Sequence, residues 1–278
     1  MIACVGLGQI GEPVCANLLR CGYQVGVVQH AARAPIERLC ALGAVERDSV
    51  EQLLAAADVV FLALPDAAAV REVVSGAAWS RSATVIDLST IGVGQSIQIG
   101  AELERHGVRY VDAPVSGGSA GAREATLTVM LGGREQEFVE LQPLLNAIVG
   151  TIIYCGRRGH GAAVKLANNL LVGVQLAALR EAMALSAGAG VDTELLFRVL
   201  SASSGNSSIL QAKQSSILQQ DFRPGFSLEL MYKDLGLAAS ELEGFGSQHP
   251  LVGAALATFR SCVDDWGSQD CSVVTQCR

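Results

Sequence analysis

Short apolar runs alternate with stretches of helical periodicity over residues 1–160. Six runs rich in Val, Ile and Leu are predicted strands, and they read IACV, QVGVV, DVVFLAL, ATVIDLS, VRYVDAP and LTVMLGG. Strands that alternate with helices are typical of an α/β domain with a parallel, doubly wound sheet. We therefore expect such a domain over residues 1–160.

The pattern changes after residue 160, where strand signals end and long helical patterns fill residues 161–278. The first of these helices is predicted from near Gly161 to about Gly188, and it is apolar around most of its circumference. A helix of this kind needs cover on several sides. We expect an all-helical domain over residues 161–278, with a second subunit covering part of this helix in a homodimer or tetramer.

The turn after the first predicted strand has the spacing G-x-G-x-x-G, formed by Gly6, Gly8 and Gly11. In a strand–turn–helix context the first glycine permits the tight turn, the second lets the backbone approach a pyrophosphate, and the third lets helix and strand pack closely. The intervening residues are Leu7, Gln9 and Ile10. A purely structural glycine turn is the alternative, but the flanking pattern favours a Rossmann-type domain that binds a dinucleotide.

The end of the second predicted strand bears on which dinucleotide is bound. An acidic residue there accepts hydrogen bonds from the ribose of NAD, whereas an arginine nearby accommodates the 2′-phosphate of NADP. This chain has Gln29, His30 and Arg33, and its next carboxylate is Glu37. The pattern favours NADP, with NAD left open because an amide also binds a ribose hydroxyl.

A second candidate site lies in the segment AAVKLANNLLVG, which carries Lys165, Asn168 and Asn169 in an apolar helix. Spacings of three and four residues place these side chains on one part of the helix surface. One interpretation is that Lys165 extends its ammonium to water. The other is a functional polar cluster, because burying an unpaired ammonium is costly.

Five ordered segments resemble the signature of the β-hydroxyacid dehydrogenase family, which includes 3-hydroxyisobutyrate dehydrogenase and tartronate semialdehyde reductase. They are GLGQIGEPVCANL, VIDLST, VDAPVSGG, GRRGHGAAVKLANN and YKDLGLA. The resemblance implies an NAD(P)-dependent oxidoreductase with a 6-phosphogluconate dehydrogenase-like C-terminal domain that serves substrate binding and dimerisation. The implied reaction transfers a hydride between nicotinamide and the β-carbon of a small 3-hydroxy acid or its semialdehyde.

The same resemblance implies roles for individual residues. Lys165 would be the catalytic general acid/base and Asn169 its partner; a lysine in a partly desolvated cleft has its pKa lowered toward about 7 to 8. The remaining implied residues are Ser116, Gly117 and Gly118 for substrate, Leu64, Pro65 and Thr90 for cofactor, and Lys233 for both.

Two alternatives remain open. Imine reductases share a similar frame but generally lack the lysine and the following asparagine, and a dinucleotide-binding module would retain the fold without turnover.

Arg123 stands where smaller residues are common in the family, so it either reaches an acidic substrate group or pairs with Glu124 at the surface. The identity of the substrate stays open on the sequence.

Composition narrows the remaining possibilities. The formal net charge is −7 and 17% of residues are charged, which gives no basic footprint for nucleic acid or anionic membranes. The chain begins MIACVGLG, without an apparent leader or an uninterrupted apolar run of membrane-spanning length, so a cytoplasmic protein is expected. The eight cysteines show no metal-binding spacing, and we expect unpaired, mostly buried thiols, with Cys271 and Cys277 exposed.

Overall fold

The computed structural model describes residues 1–30, 32–75, 79, 83–244, 246 and 248–277. The chain divides into two compact units, Met1–Lys165 and Leu166–Arg278. The division falls a few residues beyond residue 160, where the sequence predicts a boundary, and it lies inside a long helix.

The first unit is built on a single sheet. Its strands among the described residues are β1 Ile2–Val5, β2 Val25–Val28, β3 Val45–Arg47, β4 Val59–Leu62, β5 Thr84–Asp87, β6 Arg109–Asp112, β7 Val115–Ser116, β8 Leu127–Gly132 and β9 Val149–Gly156. The order is β3-β2-β1-β4-β5-β6-β8-β7, with β9 paired to β8. Strands β1 to β6 are parallel, which confirms the predicted doubly wound sheet, whereas β8 runs antiparallel to β6 and β7.

Three strands were missing from the sequence prediction, namely β3, β7 and β9. β3 has only three residues, none of them fully buried, and β7 has two. β9 is longer but largely exposed, and its sequence VGTIIYCG mixes glycines with apolar residues. Such segments become strands by pairing with a neighbour, and their own hydrophobic pattern is too weak to predict them.

Seven helices lie wholly within the described part of the first unit: α1 Gly11–Arg20, α2 Arg33–Ala41, α3 Val50–Ala55, α4 Ala67–Ser75, α5 Val93–Glu104, α6 Gly118–Glu124 and α7 Glu135–Leu145. One core lies between the sheet and side chains such as Leu18, Leu39 and Leu145, and the other includes Leu54 and Val70. Both faces of the parallel strands are therefore buried, which explains their nearly continuous apolar sequences.

Helices make up the second unit. They are the continuation of α8 His160–Gly188, then α9 Thr193–Ala202, α10 Ser208–Gln219, α11 Leu228–Glu243 and α12 Pro250–Trp266, followed by the 3-10 helix Cys271–Thr275. The starts of α9, α10 and α11 are set by Asp192, Ser207 and Ser227, whose side chains accept first-turn N–H groups. The helical region confirms the predicted fold class.

Helix α8 departs from the expectation that no segment is apolar enough to span a bilayer. Its most apolar window has a mean hydropathy of 1.4, and 39% of that window is buried. Length and composition alone do not distinguish such a helix from the core helix of a globular protein. Within the single chain Val164, Leu171 and Leu185 are exposed, so the expectation of burial on several sides is met only in part.

The cysteine expectation is wrong at the C-terminus. Cys262 of α12 and Cys277 are paired as a disulfide, with their Cα atoms 6.0 Å apart. Cys271 is 1% exposed, because it begins the 3-10 helix that packs into the second unit. Residues separated by 15 positions were brought together by the fold, which no spacing rule for cysteines reveals.

Candidate functional site

The predicted cofactor segments of the first unit follow neighbouring parallel strands. Residues 6–11 follow β1, residues 64–65 follow β4, and residue 90 comes shortly after β5. β1 lies between β2 and β4 in the sheet. The chain adds β2 and β3 on one side of β1 and then adds β4 and β5 on the other side, so the strand order reverses at β1. Ligands of doubly wound sheets bind outside the carboxyl ends of the strands at such a switch point.

The glycine turn has the geometry that a pyrophosphate requires. Gly6 has a φ of 91°, and a Cβ there would lie 2.3 Å from the carbonyl oxygen of Ala63. A Cβ on Gly11 would lie 1.7 Å from the carbonyl oxygen of Gly6. By contrast, a Cβ on Gly8 would meet no atom within 4 Å.

These three environments match the three tasks of the motif, since Gly6 and Gly11 permit close packing and Gly8 leaves an open approach. Helix α1 begins at Gly11, and its N-cap is the apolar Ile10, which offers no side-chain acceptor to the first-turn N–H groups. The Glu12 N–H donates to the carbonyl oxygen of Gly8 at 3.1 Å and Pro13 has no N–H, so it is the positive end of the helix dipole that favours an anion here. The residues present therefore fit a dinucleotide, with Leu7 and Gln9 completing the turn.

The loops after β4 and β5 are joined by a buried hydrogen-bond chain. The N–H of Leu64 donates to Ser89 Oγ at 2.9 Å, and the N–H of Ser89 donates to Asp87 Oδ1 at 2.9 Å. The hydroxyl of Tyr110 donates to Asp87 Oδ2, also at 2.9 Å. Asp87 therefore holds the segments that lead into Pro65 and Thr90, both of which the resemblance assigns to the cofactor.

Burial raises the pKa of Asp87 to about 6, because desolvation outweighs the hydrogen bonds that favour the carboxylate. Asp112 adds to the shift by repulsion, and the two residues are register partners in β5 and β6. The usual pKa of this group is 3.8. Between about pH 4 and pH 6 the folded state therefore keeps the Asp87 proton that the unfolded state has lost.

This difference predicts a pH-dependent stability. The protonated Asp87 carboxyl adds on the order of 3 kcal/mol to the free energy of unfolding at pH below about 4, and this contribution is lost as the pH rises through about 6. Asp87→Asn stays neutral in both states, so its stability relative to wild type should improve from pH 4 to about pH 6 and then level off toward pH 7. Urea unfolding of both proteins across that range measures the change, and a difference independent of pH would contradict it.

Asp112 connects the sheet to the start of α8. Its Oδ1 and Oδ2 atoms accept the N–H groups of Gly159 and Ala162, each at 2.8 Å. A Cβ on Gly161 would lie 2.8 Å from the same carboxylate, so the glycine permits this approach. Burial raises the pKa of Asp112, while the two N–H donors oppose the shift. The carboxylate thereby fixes the helix turn that precedes Lys165.

Lys165 is 7% exposed and ends the first unit, and Asn169 is 3% exposed and belongs to the second. Both lie on α8, four positions apart, which places them on the same side of the helix. Asn169 Nδ2 donates to Asp234 Oδ2 of α11 at 2.5 Å, and Asn168 Nδ2 donates to Asn169 Oδ1 at 3.0 Å. Asn169 is thus held by two neighbours, and the low exposure of Lys165 disfavours the interpretation that it extends into water.

Lys233 also belongs to the second unit, on α11. Its Nζ lies 3.0 Å from Asp234 Oδ1, and its side chain is 25% exposed. Asp234 itself is 1% exposed and faces both Lys233 and Asn169. One buried carboxylate therefore joins two residues that the resemblance assigns to the site.

The predicted substrate turn begins at the end of β7 with Ser116. Gly117 and Gly118 have φ values of 126° and 62°, in the region that favours glycine, and Gly118 begins α6. The chain reverses here without side chains that would cover the backbone N–H groups. Arg123 is exposed near the end of α6. Ala125, the C-cap residue of α6, adopts a left-handed φ of 55°.

At the end of β2, Gln29 and His30 are exposed. Arg33 starts α2 and donates to Gln29 Oε1 at 3.2 Å, and it also pairs with Glu46 of β3. Its Nε lies 3.6 Å from Glu37. Arg33, the predicted phosphate-binding arginine, therefore has two carboxylates beside it. Glu37 is close in sequence, whereas Glu46 comes from β3 and was not indicated by the local sequence.

Sequence reasoning missed four acidic residues that contact predicted site residues or the segments leading to them, namely Asp87, Asp112 and Glu46 in the first unit and Asp234 in the second. Three of them lie inside quoted motifs, in VIDLST, VDAPVSGG and YKDLGLA, where only their neighbours were assigned roles. The available signal was a charged residue within an apolar run, because buried charges are rare unless they have partners. Glu46 gave no such signal, since it lies in a short polar strand.

Family models cover nearly the whole chain. Residues 1–156 match the NAD binding domain of 6-phosphogluconate dehydrogenase. Residues 159–276 match the model described as NAD-binding of NADP-dependent 3-hydroxyisobutyrate dehydrogenase.

Similar proteins act on small hydroxy acids or their oxidised forms, according to their names. The chain is 36% identical to 2-(hydroxymethyl)glutarate dehydrogenase of Eubacterium barkeri, covering 92% of this chain and 86% of the relative. It is 33% identical to 2-hydroxy-3-oxopropionate reductase of Escherichia coli, and the match covers 95% of this chain and 92% of the relative. A solved structure of Mycobacterium tuberculosis 3-hydroxyisobutyrate dehydrogenase with L-serine has a TM-score of 0.91 at 35% identity, and the match covers 99% of this chain and 97% of that chain. An imine reductase from Myxococcus stipitatus, at 18% identity and a TM-score of 0.69, shares the fold alone.

Proposed function

The chain belongs to the β-hydroxyacid dehydrogenase family, and we propose that Lys165 is the proton-transferring group of its reaction. The protein is an NAD(P)-dependent oxidoreductase of hydroxy acids or their semialdehydes. The observation that carries the assignment of Lys165 is its burial on α8, directly after the turn that Asp112 fixes.

When bound, the nicotinamide accepts a hydride from the alcohol carbon or returns one to the carbonyl carbon. In the oxidative direction the neutral amine of Lys165 takes the hydroxyl proton as the C–H bond breaks. In the reductive direction the ammonium of Lys165 gives its proton to the developing alkoxide oxygen. Asn169, held by Asp234, orients the amine or the substrate oxygen.

We propose that the substrate is a small 3-hydroxy acid or its semialdehyde. The relatives from Eubacterium barkeri and Escherichia coli act on small acids, according to their names. Ser116, Gly117 and Gly118 offer backbone N–H groups of the kind that bind a carboxylate. Lys233 is assigned to the same substrate and to the cofactor.

A panel assay tests this function. The absorbance of reduced nicotinamide is followed with 3-hydroxy acids, with their semialdehydes and with cyclic imines at equal concentration. Turnover of the hydroxy acids or semialdehydes supports the proposal. Reduction of imines without turnover of the acids supports the alternative imine reductase, and dinucleotide binding without any turnover supports a non-catalytic module.

For the cofactor we propose a preference for NADP. Arg33, assisted by His30, supplies donors for a 2′-phosphate, and the end of β2 carries the amide Gln29 in place of an acid. Comparison of kcat/KM for NADPH and NADH checks this choice, and a tenfold or larger preference for NADH would contradict it.

We also propose that the protein is at least a homodimer with α8 at or near the contact. In the single chain Leu171 and Leu185 of α8 are 58% and 79% exposed, and apolar surface of this kind favours association. Light scattering at micromolar concentration should give at least twice the mass of one chain, and Leu171→Glu should shift the mass toward that of the monomer. A monomeric wild type would contradict the prediction.

A further inference from the structure

The ion pair between Arg33 and Glu46 lies beside the end of β2. Strands β2 and β3 are parallel, with Val27 opposite Glu46 and Val28 opposite Arg47. Glu46 is the middle residue of β3 and lies one residue before the level at which β2 ends, and its carboxylate accepts a hydrogen bond from Arg33 Nη1. The same Nη1 atom is shared with Gln29 Oε1 at 3.2 Å.

In doubly wound domains this strand end binds the adenosine ribose, and an acid there normally comes from β2 itself. Here the acid comes from the neighbouring strand and is directed toward Arg33. We propose that Glu46 is a specificity-determining residue that lowers the preference for NADPH over NADH. It does so by occupying the guanidinium of Arg33 and by placing a negative charge where a 2′-phosphate would bind.

The exposure of the pair indicates the size of the effect. The Arg33 and Glu46 side chains are 50% and 32% exposed, so the ion pair is solvated and a dianionic phosphate can compete for the guanidinium. Glu46 therefore tunes the choice between the dinucleotides and does not forbid NADPH. A ribose 2′-hydroxyl, in contrast, can donate to the Glu46 carboxylate, so the same residue is compatible with NADH.

The inference rests on the proposed use of this strand end for the adenosine ribose. Its test is the dissociation constant of each reduced dinucleotide, measured by nicotinamide fluorescence without substrate, for wild type and Glu46→Gln. We expect Glu46→Gln to lower the Kd of NADPH by about tenfold, the scale of one charge-assisted hydrogen bond, and to change that of NADH by less than about threefold.

Glu37→Gln is the matched control, because it removes a carboxylate that faces the same arginine at 3.6 Å from within α2. It should change the ratio of the two Kd values by less than about threefold. In an Arg33→Ala background, Glu46→Gln should tighten NADPH binding less than it does in the wild-type background, because the charge repulsion is still relieved but no guanidinium is freed.

Three results would overturn the inference. One is an unchanged Kd ratio in a folded Glu46→Gln protein whose wild type binds a dinucleotide, which leaves the proposed function intact. Another is an equal change in Glu37→Gln, which would make the effect one of general charge. The third is failure of the wild type to bind either dinucleotide, which would overturn the proposed function as well.

Discussion

Replacing Lys165 with alanine is expected to lower kcat by on the order of a hundredfold or more, the usual scale for removal of a general acid/base. Dinucleotide affinity should stay nearly unchanged, because the lysine acts on the substrate oxygen and the pyrophosphate is held by the glycine turn. Steady-state kinetics with a semialdehyde, together with the fluorescence Kd for the dinucleotide, separate the two effects.

A matched control for this variant is Gln175→Ala, which truncates an exposed polar residue of the same helix. It should retain most of the wild-type kcat, since surface substitutions away from special features have small effects. If Lys165→Ala keeps more than about half of the wild-type turnover, Lys165 is not the proton-transferring group.

Replacing Gly8 with alanine is expected to weaken dinucleotide binding by about tenfold or more while leaving the fold intact. The new methyl group would meet no protein atom within 4 Å, so the free protein has room for it. That same space is the one through which the backbone approaches the pyrophosphate, and a methyl group there holds the phosphates away from the turn and from the N-terminus of α1. The Kd of the dinucleotide and the melting temperature are the two measurements.

Gly253→Ala is the control for the effect of a glycine-to-alanine change in open space. Gly253 lies in α12, where an added Cβ also meets nothing within 4 Å, and the substitution should leave affinity unchanged. A Gly8→Ala protein that binds the dinucleotide as tightly as wild type would show that the pyrophosphate does not approach this turn. A large loss of melting temperature in the Gly8 variant would show instead that the turn tolerates no side chain.

The sequence by itself determined the class of the fold and the position of the main motifs. Six strands and the limits of α8 follow from apolar runs and helical periodicity. Each of these elements is long enough that its buried positions form a recognisable pattern in its own sequence. The glycine spacing is likewise local, since a tight turn followed by close helix packing depends on residues within one strand–helix unit. Lys165, Asn168 and Asn169 could be grouped because helical geometry relates them directly.

Only the tertiary structure decided which distant residues support that site. Asp87 meets Tyr110 from the neighbouring strand β6, Ser89 meets Leu64 from 25 positions away, and Asp234 meets Asn169 from a helix 65 positions away. Contacts of this kind depend on strand order and helix packing, which no local period encodes. The same reason explains Glu46, which reaches the end of β2 only because β3 lies in parallel register beside it. The sequence therefore identified the arginine at this position, and the sheet supplied the carboxylate that opposes it.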